Sequence, residues 1–118
     1  MFEFQWQAPG FLHVIVRGLW SDTDADDYVA GLSAKAAEIR RIYGSARVLV
    51  DGRESLVQPA SVMAKMAGIQ AILICVPNDR AAYVVRSALG KLQAQRLSTT
   101  DQLQVFLSAE EAQQWLLS

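Results

Sequence analysis

His13, Cys75, a run of aspartates and several arginine–carboxylate neighbours are the residues of this chain that could do chemistry. His13 is the only histidine and sits in Phe11-Leu12-His13-Val14-Ile15. Nucleophilic catalysis needs a serine, cysteine or threonine in reach of such a base, with a third group to orient it. None stands near His13 in sequence, so it reads as structural. Cys75, between Ile74 and Val76, has no basic neighbour to lower its pKa and reads as an inert core thiol. The acids Asp22, Asp24, Asp26 and Asp27 follow Ser21, with Thr23 among them. Oxygen acceptors and negative charge are what a helix start requires, so capping is preferred to metal binding. No G-x-G-x-x-G, no G-x-x-x-x-G-K-[ST] and no paired His/Cys spacing occurs, so dinucleotide, nucleotide and zinc sites lack support.

The stronger candidates fall where strands are expected to end. In open α/β sheets, ligands bind outside the carboxyl ends of parallel strands, where helix N-termini offer free N–H groups. The expected rim holds Trp20, then Asp51 and Arg53, then Asp79 and Arg80, with Tyr83 one turn on. Capping and local ion pairs are the plain reading of the two acids. The mixture of Trp, Tyr and Arg with carboxylates is also that of a recognition surface.

The elements behind these positions follow from periodicity. Phe2, Phe4 and Trp6 alternate with Glu3, Gln5 and Gln7, predicting an edge strand with one wet face. Ala8-Pro9-Gly10 is a turn, and Phe11 to Arg17 is a central strand antiparallel to the first. A helix follows, with Tyr28, Leu32, Ala36, Ile39 and Tyr43 on one face and Gly44 as its cap. Arg47 to Asp51 is a buried strand, and Pro59 opens a short helix carrying Val62, Met63, Met66 and Ile69. The all-apolar run Ala71 to Val76 predicts a strand covered on both faces. Asn78-Asp79 then opens a helix buried through Val85, Leu89 and Leu92. Beyond the link Ser98 to Asp101, Leu103 to Phe106 alternates as a fifth strand. Ser108 and Glu111 make a capping box, and Ala112, Trp115 and Leu116 form the buried face of the closing helix.

That order, β-β-α-β-α-β-α-β-α, predicts an α/β fold with a single mixed, mostly parallel sheet, because parallel neighbours need long crossovers. The 118 residues fit one domain, 1–118, and 52% hydrophobic residues fill its core. Eleven basic and twelve acidic residues leave a net charge of −1, which disfavours nucleic acid. The longest apolar run is far shorter than the ~20 residues of a membrane span. No signal peptide is visible, and with a lone cysteine a reduced, cytoplasmic setting is expected.

From Arg47 onward the chain resembles the SpoIIAA-like fold shared by STAS and CRAL–TRIO domains, and small stand-alone bacterial proteins of that superfamily. The likeness rests on Val48-Leu49-Val50-Asp51-Gly52-Arg53, on Ile74-Cys75-Val76-Pro77-Asn78-Asp79 with Tyr83, and on Val105 to Leu116. With Gly18 to Tyr28 it spans nearly the whole chain. Phosphorylation-switch STAS domains carry an Asp-Ser-x-Gly segment after the middle strand. Here Asp51 to Ser61 lacks it, leaving Ser55 and Ser61 as unmarked acceptors.

The expectation is therefore a non-catalytic regulatory or protein-interaction domain of STAS-like type, without cofactor or metal. The alternative is a protein that binds a small ligand, lipid or anion at the rim. The partner is an unknown protein or small ligand, and a homodimer is left open.

Overall fold

Side-chain alternation makes the first hairpin. In the computed structural model, which describes residues 1–7, 10–97 and 100–118, β1 (Phe2–Gln7) runs antiparallel to β2 (Phe11–Gly18). Ala8, Pro9, Ser98 and Thr99, from two of the expected loops, lie outside the described residues. Three parallel neighbours follow: β3 (Arg47–Ser55), β4 (Arg80–Val84) and β5 (Leu103–Phe106), in the spatial order β1-β2-β3-β4-β5. The sheet is mixed and mostly parallel, with β1 antiparallel at one edge, as the alternation of elements implies.

Register decides which side chains share a face. Leu12, Val48, Ala81 and Leu103 form one row, and Val14, Val50, Tyr83 and Val105 the next on that face. Both rows belong to the main core cluster beneath α1 (Asp22–Tyr43), α2 (Ala60–Met66) and α3 (Ile69–Leu73). The opposite face carries the rows His13-Leu49-Ala82-Gln104 and Ile15-Asp51-Val84-Phe106. There α5 (Ala109–Leu117) packs Ala112 and Leu116 against Leu49, Ala82, Val84 and Phe11.

The helix starts are built as the acids suggest. The Asp24 N–H donates to Ser21 Oγ at 3.1 Å, while Asp24 Oδ2 accepts the Ser21 N–H at 2.9 Å. Those bonds to Ser21 hold the Asp24 carboxyl below its ordinary pKa. Tyr28, Leu32, Ala36 and Ile39 are buried along α1, and Gly44 closes it at φ 83°, where a side chain would be strained. Tyr43 departs from that face and instead stacks on Trp6, ring centroids 5.3 Å apart. Met63, expected beside Val62, is exposed.

Two expected elements are corrected. The strand placed at Ala71 to Val76 does not form: Ile69–Leu73 is helical, and the third parallel strand is Arg80–Val84. Short apolar runs do not distinguish strand from buried helix, and here the buried residues Ile69 and Leu73 stand four apart, the helical spacing. The helix expected from Asn78-Asp79 accordingly starts later, as α4 (Ala88–Leu97). Val85 precedes it, and Leu89 and Leu92, expected buried, are 65% and 55% exposed.

The physical cause of the shift is Asp79. Its side chain is fully buried and accepts from Arg40 Nε at 2.7 Å, Ala46 N at 2.6 Å, Cys75 N at 2.8 Å and Val76 N at 3.1 Å. The Gln102 amide donates to the carbonyls of Val76, Pro77 and Asp79. The chain from Cys75 to Asp79 is thus tied to the starts of β3 and β5 before β4 begins. Cys75 lies in this exposed segment, its thiol donating to Ala71 O at 3.1 Å, so it is not a core thiol.

Removing a partner from a buried ion pair leaves an unpaired charge. Asp79→Ala should lower unfolding free energy by about 3–5 kcal/mol, read as a shifted urea midpoint with unchanged slope. A second expectation concerns Gly31, where an added Cβ would meet the Phe4 ring at 2.9 Å. Gly31→Ala should destabilise by about 1–2 kcal/mol, although helix propensity alone favours alanine by about 1 kcal/mol.

Candidate functional site on the half-covered sheet face

Helix α5 spans β3 to β5 and reaches only the start of β2. The rest of that face, over β1 and β2, has no helix above it among the described residues. Its floor is set by the two-residue period: Glu3 opposite Ile15, Gln5 opposite His13, and Asp51 beside Ile15 on β3. Ile15, His13, Arg17 and Asp51 are half-buried, while Glu3 and Gln5 are exposed.

The charged groups at this floor bind one another. Arg53 grips Asp51 in a bidentate pair, Nε to Oδ1 at 3.0 Å and Nη2 to Oδ2 at 2.7 Å. The Arg53 N–H adds a third bond to Oδ1 at 3.1 Å. Bonding to the Arg53 side chain, against the opposing effect of burial, holds the Asp51 carboxyl below its ordinary pKa; His13 contributes in the same direction. Arg17 donates Nε to Glu54 at 2.6 Å and reaches Glu3 at 3.4 Å. A shift in register between Ile15 and Arg17 is what sets Arg17 opposite Glu54. One row toward the amino end of the sheet from Ile15 and Asp51, His13 Nε2 is buried with no hydrogen-bond partner, and its ring lies 6.4 Å from that of Phe11. The result is a half-buried stretch of Ile15 and the imidazole, with the paired charges along its carboxyl-end border and Phe11 beyond its other end under α5.

The six residues expected on one rim are divided by the structure. Asp51 and Arg53 stand together toward the carboxyl end of β3. Asp79 and Arg80 stand at the other end, where β4 starts, because β4 begins at Arg80. Burial would raise the Asp79 pKa, but the N–H groups of Ala46 and Cys75 and the Arg40 guanidinium outweigh it and hold it low. Arg80 donates Nη1 to the Trp115 and Ser118 carbonyls at 2.7 and 3.1 Å, satisfying the end of α5. Its guanidinium also lies over the Trp115 ring, which is only half-buried rather than in the core as expected. Trp20 is buried against Phe2 and Tyr28, its indole N–H donating to Arg17 O at 2.8 Å. Tyr83 faces the α1 side of the sheet, its hydroxyl pushed up to about 12 by burial.

Sequence reasoning missed Glu3, Ile15, Arg17 and Glu54 as members of this face. The wet side of β1 was visible in its alternation, but the pairing of Arg17 with Glu54 depends on a register shift that no spacing reveals. It also missed Gln58, whose side chain accepts the Trp20 N–H and donates to Gly18 O and Leu56 O, each at 2.8 Å. Away from this face, an open cleft of about 390 Å³ is lined by Trp6, Tyr43, Arg47 and Leu117 among others. Among the described residues no cluster of three metal-ligating side chains occurs, and no helix is long and apolar enough to cross a membrane.

No protein-family model matches the chain, and no curated protein does. A solved structure does: an uncharacterized protein of the DUF3478 family from Shewanella loihica PV-4, described as having a SpoIIAA-like fold. It superposes with a TM-score of 0.69 over 98% of this chain and 92% of that one, at 14% identity. The fold is SpoIIAA-like. At that identity the likeness extends to the fold, and function must be argued from the site. In this SpoIIAA-like sheet, the helix-free half-face is where paired charges and the half-buried Ile15 and His13 stand together.

Because the Asp51 pKa is depressed on folding, its pairing stabilises the protein above about pH 4 and is lost as pH falls through the folded value. Wild type minus Asp51→Asn should therefore show a stability gap, under about 1 kcal/mol for a partly solvated pair, that closes on acidification. Thermal melts of both proteins from neutral to acid pH measure it.

Proposed function

We propose that this chain is a non-catalytic protein-interaction domain of regulatory type that binds its partner through the half-covered face. The observation that carries the reading is the anatomy of that face: an apolar stretch at Ile15 and His13, with Glu3 and Gln5 of β1 along one side and the Asp51–Arg53 and Arg17–Glu54 pairs at its carboxyl end. An apolar core with a polar rim is how recognition surfaces are organised. The ion pairs also fix their side chains in advance, so less rotamer freedom is lost on association. The same pairing argues against general acid–base work, which needs carboxylates and imidazole converging on a reacting atom.

Of the six residues read from sequence, Asp51 and Arg53 belong to this surface. Trp20 and Tyr83 support it from the core, and Asp79 and Arg80 hold the far end of the sheet.

Affinity capture with quantitative mass spectrometry tests the reading. A protein retained by wild type should fall at least about tenfold with Ile15→Glu, which puts a charge at the centre, and less with Arg53→Ala at the rim. Leu117→Ser, beside the opposite cleft, should leave capture unchanged. Equal capture by wild type and Ile15→Glu, with both folded, would place the interface elsewhere.

A further inference from the structure

The outer edge of β1 is open in a specific pattern. Met1 and Arg17 exchange both backbone bonds, at 2.9 and 2.8 Å. Antiparallel ladders alternate, so Glu3, Gln5 and Gln7 turn their N–H and C=O groups toward β2, and Phe2, Phe4 and Trp6 turn theirs outward. Free edges are ordinarily guarded by lysine, proline or a bulge. Phe2 to Gln7 contains no lysine and no proline, and its register with β2 is unbroken.

Helix α1 lies over this edge. Gly31 sits so close to Phe4 that a Cβ would reach the ring at 2.9 Å, which fixes the level of Gly31 above Phe4. One turn to either side, on the same stripe of the helix, stand Asp27 and Lys35. Both are exposed, and neither has an ion pair among the described residues, although Asp26 beside them pairs with Lys65.

We propose that two copies of this chain join through β1 in an antiparallel, two-fold dimer centred on Phe4, with Asp27 of each α1 facing Lys35 of the other. A two-fold axis at Phe4 sets Phe4 against its own copy and Phe2 against Trp6. All the outward backbone groups of the strand are then used, making about six new bonds. On the wet face Glu3 meets Gln5, so no like charges stand opposite. The same axis passes beside Gly31 and exchanges the turn above it with the turn below, which brings Asp27 to Lys35 twice. Strand edge and the turns adjoining Gly31 are thus self-complementary about one axis, which is the requirement for a closed dimer, while Asp24 and Glu38, two turns out on the same stripe, meet as like charges. The two half-covered faces would adjoin as the floor of one trough between the two α5 helices.

This inference does not rest on the proposed function, and a monomer would leave that reading intact. Sedimentation equilibrium of the purified full chain should show a dimer. Asp27→Lys and Lys35→Asp, each folded by circular dichroism, should each weaken it by about tenfold or more, because each sets like charges together twice. Mixing the two variants should restore a dimer, since the lysine pair on one chain then meets the aspartate pair on the other. Amide exchange at Phe4 and Trp6 should slow as concentration rises. A wild-type monomer, a dimer indifferent to both charge reversals, or Phe4 and Trp6 amides unprotected in the dimer would each overturn the proposal.

Discussion

The Asp79 carboxylate is fully buried, and every other feature at the amino end of the sheet is arranged around it. It receives a guanidinium from α1 and N–H groups from the start of β3 and from the segment after α3. A buried anion is tolerable only when its lone pairs are met, and here they are met by groups from three different elements. Arg40 is committed in turn, donating Nη2 to the carbonyls of Ile72 and Leu73 at 2.6 and 2.9 Å and so closing the end of α3. The interaction determines where α3 stops and where β4 starts.

That position propagates to the half-covered face. With β4 starting at Arg80, Tyr83 pairs with Val50 on the core side and Val84 pairs with Asp51 on the other. The Ile15-Asp51-Val84-Phe106 row then lies under α5 at one end and open at the other. Arg80, at the foot of β4, holds the last carbonyls of α5. The helix is thereby held over β3 to β5, and β1 and β2 are left uncovered. Charge at one end of the sheet is used for architecture, and the half-face over β1 and β2 is left without a helix.

The hairpin, the capped α1, β3 and the closing β5–α5 unit were legible because each has a period and a local start or stop signal. Phe2, Phe4 and Trp6 alternate; Ser21 and Gly44 bound a helix; Ser108 accepts the Glu111 N–H at the start of α5. The region from Ala71 to Val85 was misread because its signals conflict. Ile72 to Val76 has strand composition, and Asp79 looks like a helix cap, yet its carboxylate turns back to α1 and β3, far away in sequence. Long-range satisfaction of one buried charge overrides local propensity there. The candidate rim was divided for the same reason. Asp51 and Arg53 are neighbours two apart and could be paired from sequence, whereas Asp79 and Arg80 followed the misplaced strand to the wrong end. Fold class survived because a helix and a strand exchanged places within one crossover.

The Asp79 carboxylate stays ionised inside the protein, and its carboxyl carbon can be followed directly by NMR during acidification. Its pKa is held low on folding, so the stability it contributes is present above about pH 4 and disappears as pH falls through the folded value. Its signal should keep the ionised position below about pH 4 and move only together with loss of the Ala46 and Cys75 amide shifts. An Asp79 carboxyl that titrates near about pH 4 or above, while those amides and the β3–β4 pairing stay intact, would contradict this.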